Sequence, residues 1–156
     1  MKQSFFWVML VCIITASRVS ADPLDAGLGA DRGDVYAFAH AVIDGGADLV
    51  IGHGPHVPRA MEVYRNRLIA YSLGNFATYY GISVEGIRGI APILLCTLDE
   101  EGRFVSGRIV ATTQIRPAGP TPDAAGSVIT LLRTLTDTAF PQGRLLIGED
   151  GSLSIR

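Results

Sequence analysis

Cysteine, histidine and net charge are all scarce in this chain. Its 156 residues include two cysteines. Cys12 falls in an N-terminal apolar run expected to be removed, so Cys96 has no partner for an intramolecular disulfide. Cys96 sits amid Ile93, Leu94 and Leu95 with no electropositive neighbour to stabilise a thiolate, which argues against a nucleophilic role and for a small core residue. Charged residues amount to 18% and the formal net charge is −2. With no basic stripe, no nucleic-acid surface is expected. A hydrophobic content of 48% is that of an ordinary globular domain and excludes disorder. Internal repeats and low-complexity segments are absent as well.

What is present begins with Met1 to Ala21. Lys2 supplies a small positive region, Phe5 to Thr15 an apolar core, and Val19-Ser20-Ala21 small residues at the spacing a signal peptidase prefers. The core is short, and Ser17, Arg18 and Ser20 make its flank too polar for a transmembrane helix. The expected organisation is therefore a signal peptide at 1–21 and a mature domain at 22–156. Such a protein is secreted, periplasmic or held at the cell envelope, and touches a membrane only through the signal segment. An N-terminal anchor or a gene-start artefact is the competing reading.

The run Asp48-Leu-Val-Ile-Gly-His-Gly-Pro-His-Val57 carries the chemistry. Leu49 to Ile51 read as the end of a buried strand, and the glycines and proline after them force a loop bearing His53 and His56. Groups at the carboxyl edge of strands in open α/β sheets project into a shared crevice. Neutral imidazole is the commonest protein ligand for transition metals, so a His-x-x-His loop can aim two ligands at one ion. Two solvated histidines on a surface loop remain the alternative, because two ligands never complete a zinc-type site.

Downstream, Met61 to Tyr64 and Leu68 to Ser72 form a hairpin pattern around the polar turn Arg65-Asn66-Arg67, and the second strand breaks at Gly74 to leave Asn75 at its end. The combination of Gly46-Ala-Asp-Leu-Val-Ile-Gly-His-Gly-Pro-His-Val57, the hairpin and Ile69-Ala-Tyr-Ser-Leu-Gly-Asn-Phe76 resembles the C-terminal part of the CapA family. These are capsule or poly-gamma-glutamate synthesis proteins with a calcineurin-like metallophosphatase fold. The likeness extends over most of the chain after about residue 30. By resemblance, His53 and His56 are metal ligands for divalent ions, and Asn75 positions a ligand or substrate oxygen. Arg59 is a candidate to pair with an anion, against the alternative of a solvated strand-edge charge. Two departures stand out. Many members carry a further histidine where this chain has Gly54, and the family's Gly-Asp and Gly-Asn-x-Glu strands, which supply its other ligands, have no counterpart here. Asp22, Asp25, Asp31 and Asp34 lack the strand-end context that would make them substitutes.

The remaining elements predict an α/β fold, the second half of a calcineurin-like sandwich with a mixed sheet, flanking helices and antiparallel hairpins. Val35, Phe38, Ala39, Val42 and Ile43 recur at helical spacing from Asp34 to Gly46. His40 lies in that helix and reads as a packed or partly exposed residue. Ile90 to Leu98, with Pro92 marking an edge or bulge, and Arg103 to Ile115 form a hairpin expected to pair beside the histidine-bearing sheet. Val105, Ile109 and Ala111 are expected to share one face, with Ser106 and Arg108 on the other. Thr121 and Pro122 are expected to open a second helix striped by Val128, Ile129, Leu132 and Leu135. Arg144 to Ile147 and Ser152 to Ile155 close a last hairpin about Gly148 to Gly151.

A complete two-metal centre needs bridging carboxylates as well as imidazoles. The expectation is thus a CapA-like fragment with a remnant metallophosphatase loop, phosphoesterase-like by resemblance and inactive as an isolated chain. Its partners are an anionic polymer or a phosphoester, together with a missing N-terminal half or a second copy. The rival expectation is a non-catalytic interaction or remnant domain.

Overall fold

The computed structural model of the chain describes residues 34–77 and 81–156. The expected signal segment, Cys12, Asp22, Asp25 and Asp31 lie outside the described residues. The architecture is α/β, with a mixed three-stranded sheet, an antiparallel five-stranded sheet and two helices.

Helix α1, Val35–Asp44, begins where the Asp34 carboxylate accepts from the Ala37 N–H at 2.8 Å, satisfying one of the amides the first turn leaves unpaired. Its apolar stripe buries Ala39 and Ile43 against Val50, Ile69 and Tyr71. The first sheet has the order β1-β3-β2, from β1 (Leu49–Ile51), β2 (Met61–Tyr64) and β3 (Arg67–Ala70). β1 runs parallel to β3 and β2 antiparallel to it. Arg67 belongs to β3, so the expected three-residue turn narrows to Arg65-Asn66. Both turn residues have positive φ (47° and 63°), as the tight turn that matches strand twist requires.

The second sheet comprises β4 (Ile90–Leu98), β5 (Phe104–Ile115), β6 (Gly119–Pro122), β7 (Leu145–Ile147) and β8 (Ser152–Ile155). Its path is β4-β5-β8-β7, with β6 paired to the other end of β5. This corrects the expectation that the β4–β5 hairpin extends the histidine-bearing sheet: the hairpin builds a sheet of its own with the C-terminal hairpin. Pro92 does lie on an edge strand, where the amide it lacks costs no ladder bond. Val105 is a second correction. Leu98 pairs with Phe104 and Thr97 with Ser106, so Val105 is the extra residue of a bulge and is 52% exposed. The bulge shifts the alternation by one and sends Phe104 inward in its place.

Thr121 and Pro122 do not open the second helix. They lie in β6, where Thr121 pairs with Thr113 and Pro122 with Thr112, because an edge strand tolerates proline that cannot donate. Helix α2, Ser127–Ala139, starts later, after the Asp123 carboxylate has accepted the Ala125 and Ser127 amides at 3.0 and 2.8 Å. Val128, Ile129 and Leu132 are buried as the stripe predicts. They close a core whose other walls are Met61, Leu68 and Ala70 of the first sheet and Phe104, Ile109 and Leu153 of the second. Each such large side chain, fully buried, contributes roughly 1.5–3 kcal/mol. The shared core and the Met61 N–H bond to Thr136 Oγ1 at 3.1 Å hold the first sheet against α2.

Candidate functional site

The histidine loop leaves β1 through Gly52, whose N–H donates to Ala70 O and whose carbonyl accepts from Leu73 N–H. A Cβ at Gly52 would lie 2.2 Å from Tyr71 O, so only glycine lets the two chains approach this closely. The loop returns at Val57, buried, and Pro58, which bridges to Leu73. The next N–H, of Arg59, donates to Ser72 O. His53 and His56 therefore sit on a short arch pinned at both ends to the segment after β3. His56 stands at φ 61°, a left-handed conformation uncommon for residues other than glycine, although asparagine, aspartate and histidine adopt it more often than the rest.

That segment also orients the two rings. His53 Nδ1 lies 3.2 Å from Gly74 O, and His56 Nδ1 lies 2.9 Å from Asn75 Oδ1. A carbonyl only accepts, so His53 Nδ1 carries its proton. Asn75, buried, directs its amide Nδ2 at Ser83 O and Arg88 O, at 3.4 and 3.2 Å. Two carbonyl acceptors fix Nδ2 as the donor end and leave Oδ1 facing His56, whose Nδ1 must then donate. In its neutral form each ring consequently offers a bare Nε2 lone pair, the arrangement in which an outer hydrogen bond prepares a histidine for a metal. Both histidines are exposed, so the lone pairs are accessible.

The structure thus brings together three of the four sequence-predicted residues: His53 and His56 hang on the consecutive residues Gly74 and Asn75, and Asn75 acts through His56. Arg59 is half-buried and joins through its main chain. Two imidazoles fit two ligand positions of a transition-metal site and no more. Among the described residues no group of three or more His, Cys, Asp or Glu side chains could hold a metal.

Sequence reasoning missed the supports. Gln114 on β5 is buried and donates from Nε2 to Asn75 O at 2.9 Å. Its signal in the chain is a large amide side chain near the end of an otherwise apolar and threonine-rich strand. His40 is packed: its ring stacks on Tyr64 with centroids 3.7 Å apart, and its Nε2 lies 2.6 Å from Glu62 Oε1, which also accepts from Tyr71 O–H. This network staples α1 to the first sheet. Burial pushes the Cys96 thiol up to about 11, which keeps it protonated at neutral pH and removes it as a nucleophile.

Residues 32–80, which contain α1, the histidine arch and the strand end bearing Asn75, match the family model described as bacterial capsule synthesis protein PGA_cap. The chain is 52% identical over 40 residues to the capsule biosynthesis protein CapA of Bacillus anthracis, covering 26% of this chain and 10% of that protein. It is 55% identical over 39 residues to the PGA biosynthesis protein CapA of Bacillus subtilis (25% and 10%). A probable polyglutamine synthesis accessory protein of Mycobacterium tuberculosis is 46% identical over 63 residues (40% and 15%). The chain thus matches between a tenth and a seventh of the length of these relatives. Residues 32–80 are thus similar to the PGA_cap family of bacterial capsule synthesis proteins.

Proposed function

We propose that the chain serves capsule or poly-gamma-glutamate biosynthesis at the cell envelope, and that the arch of His53 and His56 is its metal-binding element. The observation that carries this reading is the pair of Nδ1 hydrogen bonds to Gly74 O and Asn75 Oδ1, which leave two Nε2 lone pairs outward on one short loop. A divalent ion held there would polarise an oxygen of a phosphoester or of an anionic polymer. His53 and His56 would hold the ion, Asn75 would hold His56, and Arg59, two residues past the arch, would be a cation able to pair with an anionic group. Export through the 1–21 segment belongs to the same proposal. Among the described residues no helix is long and apolar enough to cross a membrane.

With no third ligand among the described residues, the arch alone binds an ion weakly, because water must complete the coordination. The same observation favours a second reading, a non-catalytic interaction domain that retains the arch. Titration calorimetry with zinc and manganese, beside an assay on an activated phosphodiester, tests both. Weak binding that disappears in the His53→Ala/His56→Ala variant, with the fold retained and no turnover, is the expected result. Tight stoichiometric binding, or turnover lost in the double variant, would show a complete site and overturn the reading of a partial one. No binding in either form favours the interaction domain.

A further inference from the structure

Gln114, outside the matched segment, is hydrogen-bonded to the residue that holds His56. Gln114 makes two bonds toward the site: its side-chain amide donates to Asn75 O at 2.9 Å, and its main-chain N–H donates to Gly89 O at 2.7 Å. Gly89 follows Arg88, whose carbonyl accepts from Asn75 Nδ2. The bonds close a ring from Gln114 to Asn75, from Asn75 to Arg88, and along the chain through Gly89 back to Gln114. Inside that ring the Asn75 amide cannot turn over without setting its oxygen against Ser83 O and Arg88 O, two acceptors facing an acceptor. With Oδ1 so fixed, His56 must donate from Nδ1.

We propose that Gln114 is a positioning residue that, by clamping Asn75, holds His56 as its Nδ1–H tautomer and keeps Nε2 free for a ligand. Its reach toward the arch runs through Asn75. The inference rests on the reading of the arch as functional, yet the tautomer is a property of the metal-free protein. A failed metal titration therefore leaves it standing.

The test is the ring-nitrogen NMR spectrum of the metal-free protein at pH 8.5, where an ordinary imidazole is neutral. In the wild type the His56 pattern should be that of a proton on Nδ1; a proton on Nε2 overturns the proposal with no variant needed. Gln114→Met keeps the length of the side chain and removes the donor. It should convert His56 to a mixture with substantial Nε2–H while His53, held by Gly74 O, keeps its pattern. Thr112→Val is the matched control, since it deletes a buried hydrogen bond from the same strand, Thr112 Oγ1 to Ala91 O at 2.8 Å, and leaves Asn75 untouched. It should lower the melting temperature about as much and leave His56 unchanged. A wild-type His56 pattern in Gln114→Met, or an equal change in Thr112→Val, would show that Gln114 is ordinary core.

Discussion

A histidine at φ 61° is held against its own backbone preference, because a left-handed residue with a Cβ crowds the following carbonyl at a cost of roughly 1–2 kcal/mol. Position 56 should therefore reverse the usual ranking of small residues. His56→Gly should be more stable than His56→Ala by about 1 kcal/mol, measured by urea denaturation, while both lose the Nε2 lone pair. Alanine equal to or better than glycine would show that the arch relaxes out of that conformation. At this scale much of the site was legible. Gly52, His53, His56, Gly74 and Asn75 fall within one short stretch, and loop chemistry written locally can be read locally. Gln114 was not legible, being 39 residues from Asn75 and meeting it only once two sheets are packed.

Elements were legible where a single periodicity ruled. α1, β4 and the C-terminal hairpin lie where their patterns place them. The start of α2 did not follow, because Thr121-Pro122 is a good helix opening and also an acceptable edge strand, and pairing with β5 decided between them. The carboxylate that does order the approach to α2 is Asp123. Hydrogen bonds from the Ser127 side chain and then its backbone N–H hold the Asp123 carboxyl below the usual aspartate range. A folded-state value below the unfolded one means the bonds stabilise at pH above the ordinary aspartate value of about 3.9. That contribution is lost as pH falls through the folded value. Asp123→Ala should thus cost about 0.5–1 kcal/mol at pH 7, the worth of solvent-exposed hydrogen bonds to two amides, and much less at pH 2. Thermal melts of both proteins at the two pH values test this, and a gap that persists in acid would assign the effect to packing.

For the molecule as a whole, the α/β class followed from the order of elements, but which strands share a sheet did not, since hydrogen-bond partners of an antiparallel hairpin are not encoded in its alternation. The outcome leaves β4 at the end of the second sheet with no charged residue from Ile90 to Leu98. Among the described residues nothing pairs with its outer edge. Ile93 and Leu95 beside that edge are 40% and 53% exposed, and an uncharged edge of this kind templates association. The protein should associate with rising concentration in sedimentation velocity, and Leu95→Lys should suppress it. Association unchanged by the lysine would place the contact elsewhere. The two sheets meet through hydrogen bonds at both ends of β5, from Phe104 N–H to Asn66 O and from Gln114 Nε2 to Asn75 O. These points are ten residues apart, roughly 33 Å along an extended strand. β5 is in effect a beam fixed at each end, one support at the hairpin turn and the other beneath the histidine arch. One continuous strand thus spans the distance between the Arg65-Asn66 turn and the residue that holds His56, and is hydrogen-bonded to both.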